Sequence, residues 1–186
     1  LNPADETVVG EAPAASPADL DAAVAAAQRA FPAWSATDPE ARREVVRRMA
    51  RAVVANREEL IDLLIREQGK PRTNAAREVD SAAMFANVTA GLSLDDEVLR
   101  DDERMRVVAQ YRPLGVVGAI APWNYPLLLG YWKVYAALVA GNCVVLKPSP
   151  FTPLTTLRAA EIFADVVPQG VLNVLAGGDD LGKEIV

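Results

Sequence analysis

The chain has 186 residues, 51% of them hydrophobic, and a formal net charge of −6. A chain of this length and apolar content can bury a sizeable core, and its acidic balance argues against a nucleic-acid partner. It contains no histidine, which excludes Ser-His catalytic triads and histidine-ligated metal sites.

The single cysteine, Cys143, cannot form an intrachain disulfide and is typical of a protein in a reducing compartment. No signal-peptide pattern opens the chain, and its most apolar run, 113–146, is interrupted by prolines, glycines, Asn124 and Lys133. We therefore expect a cytoplasmic protein without a membrane partner.

Start and stop signals divide the first half of the chain into helices. Ser16, with a proline after it, predicts a helix that runs to about Ala30. A second helix start is predicted at 37–40, with the sequence Thr-Asp-Pro-Glu. A third helical stretch should stop at Gly-Lys-Pro, 69–71, and a further helix is predicted over 72–90.

The second of these helices has an amphipathic pattern. Its apolar face is formed by Val45, Val46, Met49 and Val53. The arginines between residues 42 and 51 fall largely elsewhere on the helix. We interpret them as a solvated helix face.

The pattern changes near the middle of the chain. Residues 95–103 are strongly acidic, and residues 104–112 alternate between polar and apolar side chains. This pattern predicts an exposed β-hairpin, or β-ribbon, over 97–112.

From residue 113 onward, strand-like apolar runs alternate with helical segments. The run 115–121 is continuously apolar, which is typical of a strand buried on both faces. The remaining segments are a helix at 126–140, a strand at 143–146, a helix at 153–167, a strand at 171–175 and a helix after 177–178. This order predicts an α/β fold with a Rossmann-like parallel βαβαβ sheet and right-handed crossovers.

Each predicted strand ends in polar or glycine-rich sequence. Trp123 and Asn124 follow the first strand, 147–149 (Lys-Pro-Ser) the second, and 177–178 (Gly-Gly) the third. The carboxyl ends of parallel strands meet at one edge of a sheet, where ligands bind. An ammonium group and free backbone N–H groups there suit a polyanion such as a dinucleotide.

Lys133 is the only charged residue between Arg112 and Lys147. An unpaired buried ammonium is costly, so Lys133 needs a partner or a wet cavity. The simpler interpretation is that its stem lies along the surface and its ammonium reaches water.

Stretches throughout the chain resemble the N-terminal part of aldehyde dehydrogenases. The matching stretches are Asn2 to Ala4, Glu67 to Pro71, Pro113 to Gly118, Pro122 to Pro126, Trp132-Lys133, Ala140 to Asn142, Val144 to Ser149, Thr152 to Leu154 and Gly170 to Val174. Together they cover essentially the whole chain in the family's order.

The resemblance implies roles for several residues at the predicted sheet edge. Asn124 would donate a side-chain N–H to the oxyanion that forms when a cysteine thiolate attacks an aldehyde. Lys147 and Ser149 would lie along the adenosine half of NAD or NADP, with Trp123 and Asn124 in the same cofactor wall. Lys133 is linked in some members to a proton relay beside a general-base glutamate, and a structural role for it stays open.

Two further cofactor positions carry weaker signals. Pro150 stands where the family often has a glutamate that binds the ribose hydroxyls and repels a 2′-phosphate. We therefore expect Pro150 to line the part of the cofactor site that holds the adenosine ribose. We also expect NADP to be used as well as NAD. Gly178 is a candidate cofactor contact, although a turn role for 177–178 is favoured.

The resemblance also suggests how the chain is organised. Residues 1–94 and 113–186 would form an incomplete cofactor-binding domain. The β-ribbon at 95–112 would be an oligomerisation element, since the family builds part of its interface there. We expect a homo-oligomer that acts on a small-molecule aldehyde.

The nucleophile expected of this family lies in sequence beyond Val186. Cys143 begins a predicted buried strand, and burial in apolar surroundings makes a thiol inert. The chain is therefore expected to be a fragment that is inactive alone. Two alternatives remain open: a non-catalytic binding or oligomerisation module, and an acylating enzyme that passes its thioester to coenzyme A.

Overall fold

The computed structural model describes residues 1–186 and contains seven helices and five strands. The helices are α1 (Pro17–Ser35), α2 (Pro39–Ala55), α3 (Arg57–Gln68), α4 (Arg72–Ala90), α5 (Pro126–Val139), α6 (Leu154–Phe163) and α7 (Asp179–Ile185). The strands are β1 (Glu97–Asp101), β2 (Arg106–Ala109), β3 (Val116–Ile120), β4 (Cys143–Lys147) and β5 (Leu172–Val174). The predicted α/β class and order of elements are confirmed. None of the helices combines the length and apolar composition needed to cross a membrane.

Helix α1 begins at the predicted signal. The Ser16 hydroxyl accepts the Asp19 N–H at 3.3 Å, and the Asp19 carboxylate accepts the Ser16 N–H at 2.8 Å. This reciprocal pair satisfies two of the free N–H groups at the start of the helix. The predicted end at Ala30 was too early, because the helix continues to Ser35 and adds Trp34 to its buried face.

Helix α2 buries the predicted apolar residues Val46, Met49 and Val53. Its arginines are not all solvated, so that interpretation was wrong for Arg42. This side chain is partly buried and donates to the carbonyl of Val139 at 3.2 Å and to those of Ser35 and Thr37. The carbonyls at the ends of α1 and α5 meet here and need donors, which Arg42 supplies.

The turn between α3 and α4 is sharply defined. Gly69 ends α3 in the left-handed region, with φ of 75°, which glycine adopts without strain. A Cβ at this position would also lie 2.6 Å from the ring of Pro3. The turn therefore directs the following residue, Lys70, away from the axis of α3.

Strands β1 and β2 form the predicted hairpin. They pair antiparallel, with Glu97 opposite Ala109 and Asp101 opposite Arg106, and contain one irregularity between Val98 and Arg100. No side chain of β1 is buried. The hairpin forms a sheet of its own, apart from the three parallel strands.

The remaining strands form a parallel sheet in the order β3-β4-β5. Every residue of the central strand β4 is buried. Strand β3 was also expected to be buried on both faces, but it lies at the edge of the sheet and Ile120 is 40% exposed. Helix α6 ends before the predicted 167, because the N–H groups of Val166 and Val167 both turn back to the Phe163 carbonyl.

The alternation of side chains along β4 separates the two faces of the sheet. Val144 and Leu146 belong to the main core, together with residues from α2 to α6. Val145 points to a smaller cluster with Leu20 of α1 and Leu181 of α7. Helices α5 and α6 thus cover one face and α1 and α7 cover the other. Helices α2 and α4 pack on α5, and α3 packs on α4 and α6.

Candidate functional site

The strand register aligns the carboxyl ends of all three parallel strands. Ile120 of β3 pairs with Lys147 of β4, and Leu146 pairs with Val174 of β5. The segments that follow these strands therefore leave the sheet at one edge, as the sequence predicted. The loops after β3 and β4 are joined, since the Thr152 hydroxyl donates to the Trp123 carbonyl at 3.3 Å.

Lys147 lies at the end of β4 and is only 3% exposed. Its Nζ lies 3.4 Å from the Pro148 carbonyl, a weak contact, and forms no ion pair with a carboxylate. Burial lowers the pKa of its ammonium, and the charge of Asp179 acts in the opposite direction. The group faces an open cavity of about 600 Å³, so it retains donors for an anionic ligand.

The same cavity identifies three residues of α7 that sequence reasoning missed. Asp179, Gly182 and Lys183 line it together with Lys147 and Ile120. A Cβ on Gly182 would lie 3.7 Å from Cε of Lys147. The absence of a side chain at this position therefore leaves space in the cavity beside the lysine. The sequence signal that could have indicated them is their position: they follow the glycines at 177–178 and lie in the first turns of a predicted helix.

The other predicted cofactor residues occupy different positions. Ser149 is buried, and its Oγ accepts the Phe151 N–H at 3.3 Å, so it shapes the loop. Pro150 is exposed next to it. Gly178 is exposed directly before α7, and a Cβ there would meet nothing within 4 Å. Gly178 is not among the residues that line the Lys147 cavity, where Asp179 takes its place.

Asn124 and Trp123 are both exposed, with Trp123 at 58%. Their backbone is held by the carbonyls: Gln68 Nε2 donates to Asn124 at 2.9 Å and to Trp123 at 3.2 Å, and Lys70 Nζ donates to Asn124 at 3.0 Å. The side-chain amide of Asn124 donates to no atom of the chain. It is therefore an available hydrogen-bond donor on a backbone that is held in place.

Lys133 is exposed on α5, and its Nζ donates to the carbonyl of Ile120. Of the two interpretations of Lys133, the structure has the simpler one, in which the flexible stem carries the ammonium to the surface, here at the end of β3. The ammonium nevertheless lies at the same sheet edge as Asn124 and Lys147, since Ile120 pairs with Lys147.

Cys143 has the environment that the sequence predicted. It is fully buried at the start of β4, at the opposite end of the strand from Lys147. Burial raises the pKa of its thiol to about 11. A thiol of this kind stays protonated at neutral pH and is a poor nucleophile.

The structure thus places a free amide, a buried ammonium and a glycine-bordered cavity at one sheet edge. The model of the aldehyde dehydrogenase family matches residues 1–186. The putative aldehyde dehydrogenase FUS7 of Gibberella moniliformis is 42% identical over 186 residues, which are 100% of this chain and 40% of that protein.

Solved structures agree in fold. PnpE of Pseudomonas, solved with nicotinamide adenine dinucleotide, has a TM-score of 0.95 and 37% identity, over 100% of this chain and 39% of that one. Glyceraldehyde-3-phosphate dehydrogenase GapN of Methanocaldococcus jannaschii, complexed with NADP, has a TM-score of 0.94 and 30% identity, over 100% and 42%. The chain spans about 40% of the length of the curated relatives it matches. With the motifs, the fold and a family match over residues 1–186 in agreement, the chain belongs to the aldehyde dehydrogenase family.

Proposed function

We propose that the protein oxidises an aldehyde to a carboxylic acid with NAD or NADP. The observation that carries this proposal is the Asn124 amide, free of internal partners and held through its backbone carbonyl at 2.9 and 3.0 Å by Gln68 and Lys70. A preorganised donor of this kind is suited to an oxyanion. Its position beside a cofactor-type sheet edge adds support.

In this reaction a cysteine thiolate outside residues 1–186 adds to the aldehyde carbon and forms a thiohemiacetal. Asn124 donates its N–H to the oxygen that gains negative charge, which lowers the barrier to addition. The bound nicotinamide supplies the hydride acceptor. Water then hydrolyses the resulting thioester and releases the acid. Lys133 is retained as a catalytic candidate, since its ammonium lies at this edge.

The residues at the sheet edge fit an adenosine diphosphate group. Lys147 offers an unpaired ammonium to the cavity, and Gly182 leaves space beside its stem. Trp123 offers an exposed indole near the same loops. We propose that these residues bind the cofactor, with Ser149 shaping the loop and Pro150 and Gly178 at its borders.

The assay for this function is aldehyde-dependent reduction of NAD and NADP by the native protein, with identification of the product. A carboxylic acid as product supports the proposal. A requirement for coenzyme A with an acyl thioester as product favours the acylating alternative. Cofactor binding without turnover of any aldehyde favours the non-catalytic module and contradicts the proposal.

Cofactor preference should depend on Asp179. Pro150 carries no carboxylate that would repel a 2′-phosphate, so we expect NAD and NADP both to be used. Asp179 is the acidic side chain that lines the Lys147 cavity, and Asp179→Asn should raise kcat/KM for NADP relative to NAD. A change of about fivefold corresponds to the ~1 kcal/mol between two close charges in water.

A carboxylate distant from the cavity provides the control for this measurement. Asp165 is exposed and does not line the cavity, so Asp165→Asn should leave the ratio unchanged. Equal shifts in both variants would show that only the overall charge matters. Complete exclusion of NADP by the native protein would contradict the expectation of dual use.

We also propose that the protein is a cytoplasmic homo-oligomer that uses the 95–112 ribbon as part of its interface. The ribbon exposes a set of apolar side chains, Val98, Leu99, Met105 and Val107. Such side chains are typical of contact surfaces when they lie together. Light scattering should give a mass of at least a dimer, and Leu99→Asp should lower it; a native monomer would contradict this proposal.

A further inference from the structure

The loop that carries Asn124 is held by side chains from the helical layer. Gln68, the last residue of α3, and Lys70, in the α3–α4 turn, both donate to the Asn124 carbonyl, at 2.9 and 3.0 Å. These two residues are far from Asn124 in the chain. The position of the loop is therefore set by the α3–α4 turn as well as by the end of β3.

Lys70 is held in place from several directions. Its side chain is 9% exposed and forms an ion pair with Glu78 of α4, whose side chain is completely buried. Its Nζ also lies 4.5 Å from the centre of the Tyr125 ring, which favours a cation. Pro71 restricts its backbone from the other side, so the ammonium has little freedom to move.

Glu78 connects this ion pair to the helix that follows Asn124. Its Oε1 accepts the N–H groups of Leu127 and Leu128 at 3.0 and 3.2 Å, in the first turn of α5. A carboxylate at a helix N-terminus is stabilised by the free N–H groups and the helix dipole. One buried carboxylate therefore ties together Lys70, the start of α5 and, through Lys70, the Asn124 carbonyl.

We propose that Lys70, held by Glu78, is a positioning residue that aims the Asn124 amide at the reacting oxygen. This inference rests on the oxyanion role of Asn124 in the proposed function. The side chain of Asn124 has no partner within the chain, so the point from which its amide reaches the substrate is set by the backbone. Loss of the Lys70 contact would let the loop move, and small displacements of a catalytic donor are costly in rate.

The test is a double-mutant cycle between Lys70 and Asn124 in the native enzyme. Lys70→Met keeps the apolar stem and should lower kcat by roughly 10- to 100-fold, part of the effect of losing the donor altogether. KM for NAD should stay within about twofold, since Lys147 is untouched. In an Asn124→Ala background the same change should lower kcat by less than about threefold, because no donor remains to be aimed.

Two further variants separate positioning from folding. Lys70→Arg retains a charged donor and should recover most of the turnover. If Lys70→Met fails to fold because Glu78 is left buried without its cation, Lys70→Met combined with Glu78→Gln removes both charges. The new amide oxygen can still accept from α5, so this protein should fold and show the same loss of kcat. Arg72→Met, which removes only exposed ion pairs next to this turn, should leave kcat unchanged.

The outcomes distinguish the proposals. Equal losses of kcat from Lys70→Met with and without Asn124 would overturn the positioning role. Full activity of the Lys70→Met, Glu78→Gln protein would do the same. Unchanged turnover in Asn124→Ala alone would instead contradict the oxyanion role of Asn124, on which the inference rests.

Discussion

Replacing Asn124 by alanine should lower turnover by about 10²- to 10³-fold, the usual effect of losing one oxyanion donor. The reason is that the Asn124 amide makes no internal hydrogen bond, so its free donor is used only when the reacting oxygen becomes charged. Its backbone carbonyl keeps the contacts with Gln68 and Lys70. Steady-state kinetics with a good aldehyde substrate would measure the loss.

The pattern of the loss is as informative as its size. KM for the cofactor should change by less than about twofold, because Lys147 and its cavity are unaffected. Asn87→Ala, on the surface of α4, is the matched control, since its amide bonds only to the Ala83 carbonyl. Equal kcat in Asn124→Ala and the native enzyme would contradict the role assigned to this amide.

Replacing Glu67 by leucine should lower the free energy of unfolding by about 3 kcal/mol, because it leaves buried donors without acceptors. The Glu67 carboxylate accepts the N–H of Leu154, and the N–H and hydroxyl of Thr155 at 3.1 and 2.7 Å. It thus caps α6 from the end of α3. Denaturant-induced unfolding of the native protein would measure the loss.

The contribution of Glu67 to the free energy of unfolding should decrease as pH rises. Burial raises the pKa of Glu67, and its hydrogen bonds to Thr155 and Leu154 lower it by less. A raised native pKa means that the native state binds the proton more tightly than the unfolded state does. The proton-linked part of the contribution of Glu67 is therefore present below its unfolded pKa and is lost as pH rises through its native pKa. The hydrogen bonds that Glu67 accepts from Leu154 and Thr155 are also made by the ionised carboxylate.

Two substitutions test this explanation. Glu67→Gln retains an acceptor and removes the charge. It should therefore lower the free energy of unfolding much less than Glu67→Leu does, and make that free energy less dependent on pH. Glu59→Gln removes an exposed pair between the same two helices, Glu59 with Arg158, and should cost at most about 1 kcal/mol. Equal losses for the leucine and glutamine variants at Glu67 would contradict the capping account.

The local elements could be predicted because their signals are short-range. The capping pair of Ser16 and Asp19 and the left-handed Gly69 need only neighbouring residues to act. The parallel sheet followed from the alternation of strands and helices. The errors, by contrast, came from packing: Trp34 extends α1, and Ile120 is exposed because β3 is an edge strand.

The residues of the candidate site also divide into those that the sequence indicated and those that only packing brought together. The sequence indicated Asn124 and Lys147, since both follow predicted parallel strands and such strands end at one edge. It did not indicate Asp179, whose relation to Lys147 depends on how α7 packs. It left two positions open for Lys133, and the long flexible stem takes the charge to the surface.

By itself the sequence determined the helix starts, the parallel sheet, the free amide between two prolines and an inert Cys143. Only the tertiary structure decided the uses of Glu67, Lys70 and Glu78. In sequence Glu78 looks like an ordinary charge on a helix, and Glu67 and Lys70 belong to a stretch that resembles the family without an indicated role. The structure buries them because they satisfy free N–H groups and carbonyls of segments distant in the chain. The contacts themselves have no local sequence signal, since the need of these N–H groups and carbonyls for a partner arises only when helices pack.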